Sequence, residues 1–432
     1  MKYGVSDLPA LLSTSFGRAQ LSDGIQNVLW PVFYLAARLY RMMTCRLTSQ
    51  VVVIGSLGKT TSYRALASVL GTLKYRKYYR NFKTPIARRI LEVPPWRKFG
   101  VTEVGIDRPG QMETFARMIK PDVVVATSIA SEHNRSLKSL DTTRFEKSRM
   151  LAKLGRDGLA IINGDDPNVL WMRTQTKARV VTCGFNDSSD FRALNYRLDW
   201  PHGSSFDIQN GSRTWHIRSR LIGRHTVYPM ITAMAFTECR GIGAGRAIPS
   251  LESLEPAKGR LQTVRLPGGA FLIRDDFKSS LETIHSALDV LSEVPAAHRG
   301  IILGDVSEPP GSQGPLYREI GSRVAAIADW AVFYGGKRHD YASGARAAGM
   351  PGEAIEKVNE RLVDIAANTF RRLHPGDVVL IKGRSNQKLE RISLAMMGRT
   401  VKCDLKVCKA RTFRCDDCPM LERGWSGKKV II

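Results

Sequence analysis

The chain has 432 residues, 43% apolar and 24% charged, a balance that excludes wholesale disorder and calls for two or three cores rather than one. Its 65 Lys+Arg against 40 Asp+Glu give a formal net charge of +25, a field that favours anionic partners: nucleotides, nucleic acid, acidic glycans or an anionic membrane surface. The first 20 residues lack a basic start followed by an unbroken apolar core, so no secretory signal is expected and a cytoplasmic location is.

Residues 1–48 read as an N-terminal helical segment. Within it Val28–Met43 is rich in aromatic and aliphatic side chains, but it falls short of the ~20 apolar residues of a spanning helix, and Arg38 and Arg41 interrupt it. Trp30, Tyr34 and Tyr40 beside arginines suit a helix lying peripherally at the inner face of the cell membrane, or equally one packed on the next domain.

From residue 49 to 257 the pattern is that of a central ATP-binding domain. Apolar, β-branched runs at Val51–Ile54, Val101–Val104, Val123–Thr127 and Leu159–Asn163 alternate with helical stretches, which argues for a mostly parallel sheet covered on both faces. Residues 190–222 alternate polar and apolar, as exposed antiparallel strands do. The run Lys74–Arg80 is either a nucleic-acid patch or a solvated charged segment.

A boundary is expected near Pro256–Gly259, followed by a Rossmann-like C-terminal domain over 258–400. Its strands are placed at Ala270–Ile273, Gly300–Leu303, Ala331–Tyr334 and Val378–Ile381, with helices such as Leu281–Leu291 and Gly352–Leu373 between them. The fold class is therefore α/β: a parallel-sheet phosphate-loop domain, then a Rossmann-like domain, preceded by the short helical segment.

The tail, 401–432, carries Cys403, Cys408, Cys415 and Cys418, whereas Cys45, Cys183 and Cys239 are scattered and expected to be buried. A Cys-x2-Cys knuckle brings two sulfurs to one ion, so the cluster suggests zinc, with an iron–sulfur cluster or two disulfides as the other readings.

The strongest chemical signal is Gly55-Ser56-Leu57-Gly58-Lys59-Thr60-Thr61, set between a strand and a helix. Such a loop aims backbone N–H groups and a helix N-terminus at phosphate oxygens, with Lys59 reaching the β and γ phosphates and the Thr60 hydroxyl on Mg²⁺. Val53 stands where the longer GxxxxGK[ST] pattern has its first glycine.

This short loop resembles that of the Mur ligases, and the chain follows their motif order over roughly residues 50–395. Glu103–Gly110 is similar to the family's acidic segment, Pro121–His133 to the strand ending in its metal-binding histidine, and Phe145-Glu-Lys147 to the segment with its often carbamylated lysine. Ile162–Asp166, Gly223–His225, Gly259-Arg260, Asp275–Lys278, Gly304–Val306 and Lys382–Ser385 continue the series. Spacing is most similar to the ligases that add D-alanyl-D-alanine to a UDP-muramoyl tripeptide. The departures are specific. Residues 1–48 are too few for the family's UDP-binding domain, and Thr226 and Pro229 stand where the family has asparagines.

The resemblance implies an ATP-dependent carboxylate–amine ligase working through an acyl phosphate. Gly55, Ser56, Gly58, Lys59, Thr60, Thr61, Asn163, Arg260, Asp276 and Lys278 would contact the nucleotide, Asp276 by accepting from the ribose hydroxyls. Thr60 and Glu103 would hold Mg²⁺, and His133 with a carbamylated Lys147 would serve a second metal beside the acyl phosphate. Lys59, His133 and Lys147 are the expected catalytic residues. The expected partners are a small-molecule, lipid-linked or glycan acceptor and an amino acid or peptide amine. The competing readings are a P-loop ATPase or phosphotransferase acting with nucleic acid, and a catalytically silent scaffold. Nucleic acid is the less expected partner, because no second basic-aromatic array accompanies Lys74–Arg80.

Overall fold

The computed structural model describes residues 8–13, 15–73, 83–130, 137, 139–405, 408 and 414–424. The chain divides into two compact units: one holds Asp23–Asp199 and Gly203–Glu255, and the main body of the other starts at Pro256.

The first unit is built on an eight-stranded sheet ordered β2-β1-β3-β4-β5-β6-β7-β8. Strands β1 (Ser49–Ile54), β2 (Phe99–Glu103), β3 (Val123–Ala126), β4 (Leu159–Asn163) and β5 (Arg179–Gly184) run parallel. β6 (Phe191–Asp199) joins β5 in parallel and then meanders through β7 (Gly203–Asn210) to β8 (Arg213–Ser219), both pairings antiparallel. The β-branched run of β1 suits a central strand buried on both sides. Val51 and Val53 enter one core with the helices Lys59–Val69 and Val227–Cys239, while Val52 and Ile54 enter another with Lys83–Leu91, Gln111–Ile119 and Leu140–Leu151. β8 is an edge strand with Arg213, Thr214, His216 and Arg218 exposed.

The apolar segment near the N-terminus forms the helix Trp30–Met43. Trp30, Phe33, Tyr34, Ala37 and Tyr40 pack into the second of those cores. Arg41, read from sequence as an interruption, is a buried anchor: it donates to the Ile119 and Cys45 carbonyls at 3.0 and 2.6 Å and to Asp122 at 2.8 Å. Among the described residues no helix is long and apolar enough to cross a membrane.

The second unit carries a six-stranded sheet ordered β13-β12-β11-β14-β10-β9. Strands β10 (Phe271–Asp275), β11 (Arg299–Leu303), β12 (Trp330–Tyr334), β13 (Ile355–Val358) and β14 (Val378–Lys382) are parallel, and β9 (Gln262–Arg265) adds an antiparallel edge. One expectation is corrected here. Residues 352–373 are not one helix but a short turn, strand β13 and the helix Leu362–Arg372. Ile355, Val358, Leu362 and Ile365 sit at spacings that mimic a helical stripe, yet the first pair belongs to a strand on β12 and the second to a helix face. The parallel strands deliver Asp276–Ser280, Gly304–Glu308, Gly335–Arg338 and Gly383–Arg384 to one end of this sheet.

Candidate active site

β1 ends in the loop Gly55–Gly58, and the helix beginning at Lys59 starts directly after it. Gly55 has φ +138°, and a Cβ there would lie 2.0 Å from Thr127 Oγ1, so only glycine fits. Gly58, at φ +78°, turns the chain into the helix. The segment after β3 braces the loop: the Ser56 and Leu57 amides donate to the Ser128 carbonyl and hydroxyl at 2.6 and 3.0 Å, and the Thr127 hydroxyl donates to the Leu57 carbonyl. Lys59, buried at 7% exposure, folds back and donates to the Gly55 and Ser56 carbonyls at 2.8 and 2.7 Å. Its ammonium is thereby held inside the loop, where a polyphosphate would need a fixed positive charge.

Thr60, in the first turn of the helix after the loop, comes together with Glu103 at the end of β2. The Thr60 hydroxyl donates to Glu103 Oε1 at 3.3 Å, and both side chains are buried. Adjacent hydroxyl and carboxylate oxygens beside a phosphate loop fit a hard, oxygen-seeking Mg²⁺. Lys147, on the helix Leu140–Leu151, reaches the same loop from 91 residues away: its Nζ donates to Ser56 Oγ at 2.8 Å at 2% exposure. Ser56 Oγ also accepts from the Ala130 amide at 2.9 Å and donates to the Ala130 carbonyl at 3.2 Å. The structure thus gathers Gly55, Ser56, Gly58, Lys59, Thr60, Thr61, Glu103 and Lys147 at one end of the sheet. His133 lies outside the described residues, as does the Lys74–Arg80 run.

Asn163 ends β4, and its side-chain oxygen accepts the Asp165 amide at 2.9 Å. The paired acids beyond it are tied into the surrounding fold. Asp166 caps the helix Pro167–Trp171 and accepts the Ile129 amide at 2.8 Å. Asp165 accepts the Phe185 and Asn186 amides and the Tyr228 hydroxyl, the last at 2.7 Å. Burial and that bond to Asp165 push the Tyr228 phenol well above its ordinary range. Tyr228 meets Phe185 edge-on, and the Arg224 guanidinium lies 4.0 Å from the Phe185 ring centroid. This aromatic–guanidinium group escaped sequence reading. Its only signal was Tyr228 standing one residue before the lost asparagine position at Pro229.

In the second unit, the guanidiniums of Arg260 and Arg414 lie 4.9 and 5.1 Å from the Phe277 ring centroid. Asp276 is fully buried. Lys382 donates to Asp275 and to the Lys278 carbonyl at 2.5 and 2.7 Å, and burial lowers its ammonium below the usual lysine value despite Asp275. Lys278 follows Phe277 on the same segment.

The expectation of zinc at the tail cysteines finds no support: among the described residues no group of three or more His, Cys, Asp or Glu side chains is arranged to hold a metal ion. The reason lies in what occupies the cluster. Arg391, largely buried, sits among Cys403, Cys408 and Cys415, with its Nη1 on the Cys403 and Leu405 carbonyls. Cys415 packs with Leu394 and Leu421, and burial pushes its thiol well up. All seven cysteines are free thiols, which also removes the two-disulfide reading.

Residues 53–237 match the Mur ligase middle domain, and residues 259–385 match the Mur ligase, glutamate ligase domain. The UDP-N-acetylmuramoyl-tripeptide–D-alanyl-D-alanine ligase of Bacillus subtilis is 25% identical over 350 residues, covering 80% of this chain and 75% of the relative. The crystal structure of MurF from Acinetobacter baumannii superposes with a TM-score of 0.74 at 20% identity, over 86% of this chain and 81% of that one. The ADP complex of Thermotoga maritima MurF gives a TM-score of 0.73 at 18% identity, over 85% and 83% of the two chains. Two family domains in family order, on the fold of those structures and with the phosphate loop intact, lead to one conclusion: the chain belongs to the Mur ligase family of ATP-dependent carbon–nitrogen ligases.

Proposed function

We propose that the chain uses ATP to activate a carboxylate on a peptide or glycan precursor of the cell wall or cell surface and joins it to the amine of an amino acid or peptide. The observation that supports this best is the arrival of the buried Lys147 amine at Ser56 of the phosphate loop, 2.8 Å away. The family resemblance places a lysine beside the acyl phosphate, and Lys147 reaches the loop from outside the phosphate-loop motif itself.

A carboxylate resists amines because hydroxide is too poor a leaving group. In the proposed reaction a carboxylate oxygen attacks the γ-phosphorus, and the bond to the β–γ bridging oxygen breaks to release ADP. The amine nitrogen then attacks the acyl carbon, the C–O bond to phosphate breaks, and the nitrogen loses a proton to solvent. The loop amides and Lys59 hold the β and γ phosphates, and the helix N-terminus stabilises the charge they carry. Thr60 and Glu103 would hold Mg²⁺, which when bound would neutralise charge on the phosphates. By the family resemblance, a carbamylated Lys147 and His133 would serve the acyl phosphate. The further candidates for nucleotide contact, each within its own unit, are Asn163 at the end of β4 in the first unit and Arg260 and Lys278 in the second.

The Bacillus subtilis relative joins a UDP-N-acetylmuramoyl tripeptide to D-alanyl-D-alanine, which sets the first substrates to try. ADP release by the purified protein is expected to require both a carboxylate from a muramoyl-peptide panel and an amine. Release stimulated by nucleic acid, with no amine requirement, would place the chain among P-loop ATPases instead.

The acceptor in this reading is lipid-linked, and the chain meets it at an anionic membrane surface. The support is the outer face of the helix Trp30–Met43, where Val32, Leu35, Leu39 and Met43 are 63, 55, 46 and 73% exposed. Ile25, Val28, Leu29 and Leu47 extend this stripe, and Arg38 and Arg46 are exposed within it. Apolar residues entering the interface beside cations that meet anionic headgroups are the recipe for peripheral docking. Co-sedimentation with phosphatidylglycerol-rich vesicles is expected, at least tenfold weaker with neutral vesicles and lost in Leu35→Glu/Leu39→Glu. Equal binding by that double variant would end the membrane reading.

A further inference from the structure

The tail beyond the matched family domains inserts two charged side chains into the second unit, at the residue that the family resemblance assigns to ribose. Arg414 Nη2 donates to Asp276 Oδ1 at 3.1 Å, and Arg414 Nε donates to Asp416 Oδ2 at 3.2 Å. Arg274 closes the circuit. Its Nε donates to Asp276 Oδ2 at 3.2 Å, and its two terminal nitrogens donate to both Asp416 oxygens at 3.0 and 3.2 Å. Each arginine therefore bridges both aspartates in a ring of two positive and two negative charges. The Arg274, Asp276 and Asp416 side chains are 2, 0 and 6% exposed, and that of Arg414 is 18% exposed. Burial opposes ionisation of Asp416, yet the two guanidiniums hold its carboxyl below the usual range.

Two further contacts tie this tail segment into the unit: Arg414 donates to the Lys258 carbonyl, and Arg399 donates to the Asp416 carbonyl at 2.8 Å. Within the unit itself, Ser393 donates to Asp276 Oδ2 at 2.8 Å. Gly259, at φ +66°, has no room for a Cβ, which would lie 2.2 Å from Asp276 Oδ1 and 2.4 Å from Arg414 Nη2. Asp276 thus accepts three hydrogen bonds inside the protein with no surface exposed, and a ribose hydroxyl reaches it only if the ring is dismantled.

We infer that Asp276 is the anchor of a C-terminal clasp rather than a ribose acceptor, and that Arg414 and Asp416 are positioning residues. They fix the Lys258–Arg260 turn and Phe277, against which the Arg260 guanidinium rests. The inference builds on the proposed nucleotide contacts of Arg260 and Lys278, and adds that the tail is needed to set them. Removing one charge from a buried ring strands its partner, so lesions at either aspartate have the same consequence.

The test uses the full-length protein and equilibrium binding of a non-hydrolysable ATP analogue in ribo, 2′-deoxy and 3′-deoxy forms. Hydrogen exchange of residues 414–424 is followed in parallel. Asp276→Asn, Asp416→Asn and Arg414→Ala are each expected to weaken the ribo analogue by a similar factor, on the order of tenfold. Each is also expected to leave the ribo-to-deoxy affinity ratio within about twofold of wild type and to speed exchange in the tail, with Arg414→Lys intermediate. The clasp is overturned if Asp276→Asn erases the ribo-to-deoxy difference while Asp416→Asn binds like wild type. It is equally overturned if the analogue accelerates exchange of 414–424 in the wild type, because the tail would then be displaced by nucleotide. A wild type that binds no nucleotide removes the parent reading. The anchor role of Asp276 is still decided by tail exchange in Asp276→Asn, where wild-type protection would disprove it.

Discussion

Lys59→Ala is expected to lower ADP release by about a hundredfold or more, the scale seen when a preorganised charge contact to a developing anion is removed. The amine is already in place before nucleotide arrives, because the Gly55 and Ser56 carbonyls hold it inside the loop at 2.8 and 2.7 Å. On binding, the two carbonyl partners would be exchanged for phosphate oxygens. The loop itself does not depend on Lys59 alone, since Thr127 and Ser128 brace it through separate hydrogen bonds. The variant should therefore fold, with an unchanged circular-dichroism spectrum and a loss confined to turnover. Activity within a few-fold of wild type would remove the phosphate-loop argument.

The second large effect is expected at Lys147, where Lys147→Ala should cost turnover on a similar scale, about a hundredfold. A structural cause is separable from a chemical one here. Ser56 Oγ, which receives the Lys147 proton, keeps its bonds with the Ala130 amide and carbonyl when the amine is gone. The loop thus retains its anchor while the site loses the group that, in the proposed reaction, carbamylation would turn from a cation into a metal-binding anion. Formate or acetate, small enough for the vacated space, should restore part of the activity of Lys147→Ala. Labelling the wild type with ¹³C-bicarbonate should give a carbamate resonance that Lys147→Ala lacks. An unmodified Lys147 in an ATP-bound structure, together with no carboxylate rescue, would discard the carbamate.

What was legible in the sequence follows the range of the interaction. The loop could be read because its parts are contiguous: a β-branched strand, glycines at Gly55 and Gly58, then Lys59 and Thr60. The parallel strands could be read because a strand buried on both faces, such as β1, has an unbroken apolar run. The meeting of Lys147 with Ser56 spans 91 residues, and no local pattern encodes it; only the family's motif order anticipated the lysine. Residues 352–373 misled because periodicity registers apolar spacing and not the change of element between Val358 and Leu362. The tail misled for another reason. Thiol spacing is visible in sequence, but the Arg391 guanidinium among those thiols is not, nor is a charge ring whose members Arg274 and Asp416 lie 142 residues apart.

The edges of the two sheets bear on a hazard remote from catalysis. A strand with unpaired amides is a template on which a second chain can add, and that is how sheet proteins self-associate into aggregates. Here three of the four outermost strands, β8, β13 and β9, present charge at those rows. β8 exposes Arg213 and Arg218, and its Arg218 amide is already taken by Glu252 at 2.9 Å. β13 exposes Lys357 and β9 exposes Arg265, so a copy of the same strand approaching either edge meets like charge before it can form a ladder. Part of the chain's large basic excess therefore sits where it opposes the addition of a second copy to these edges.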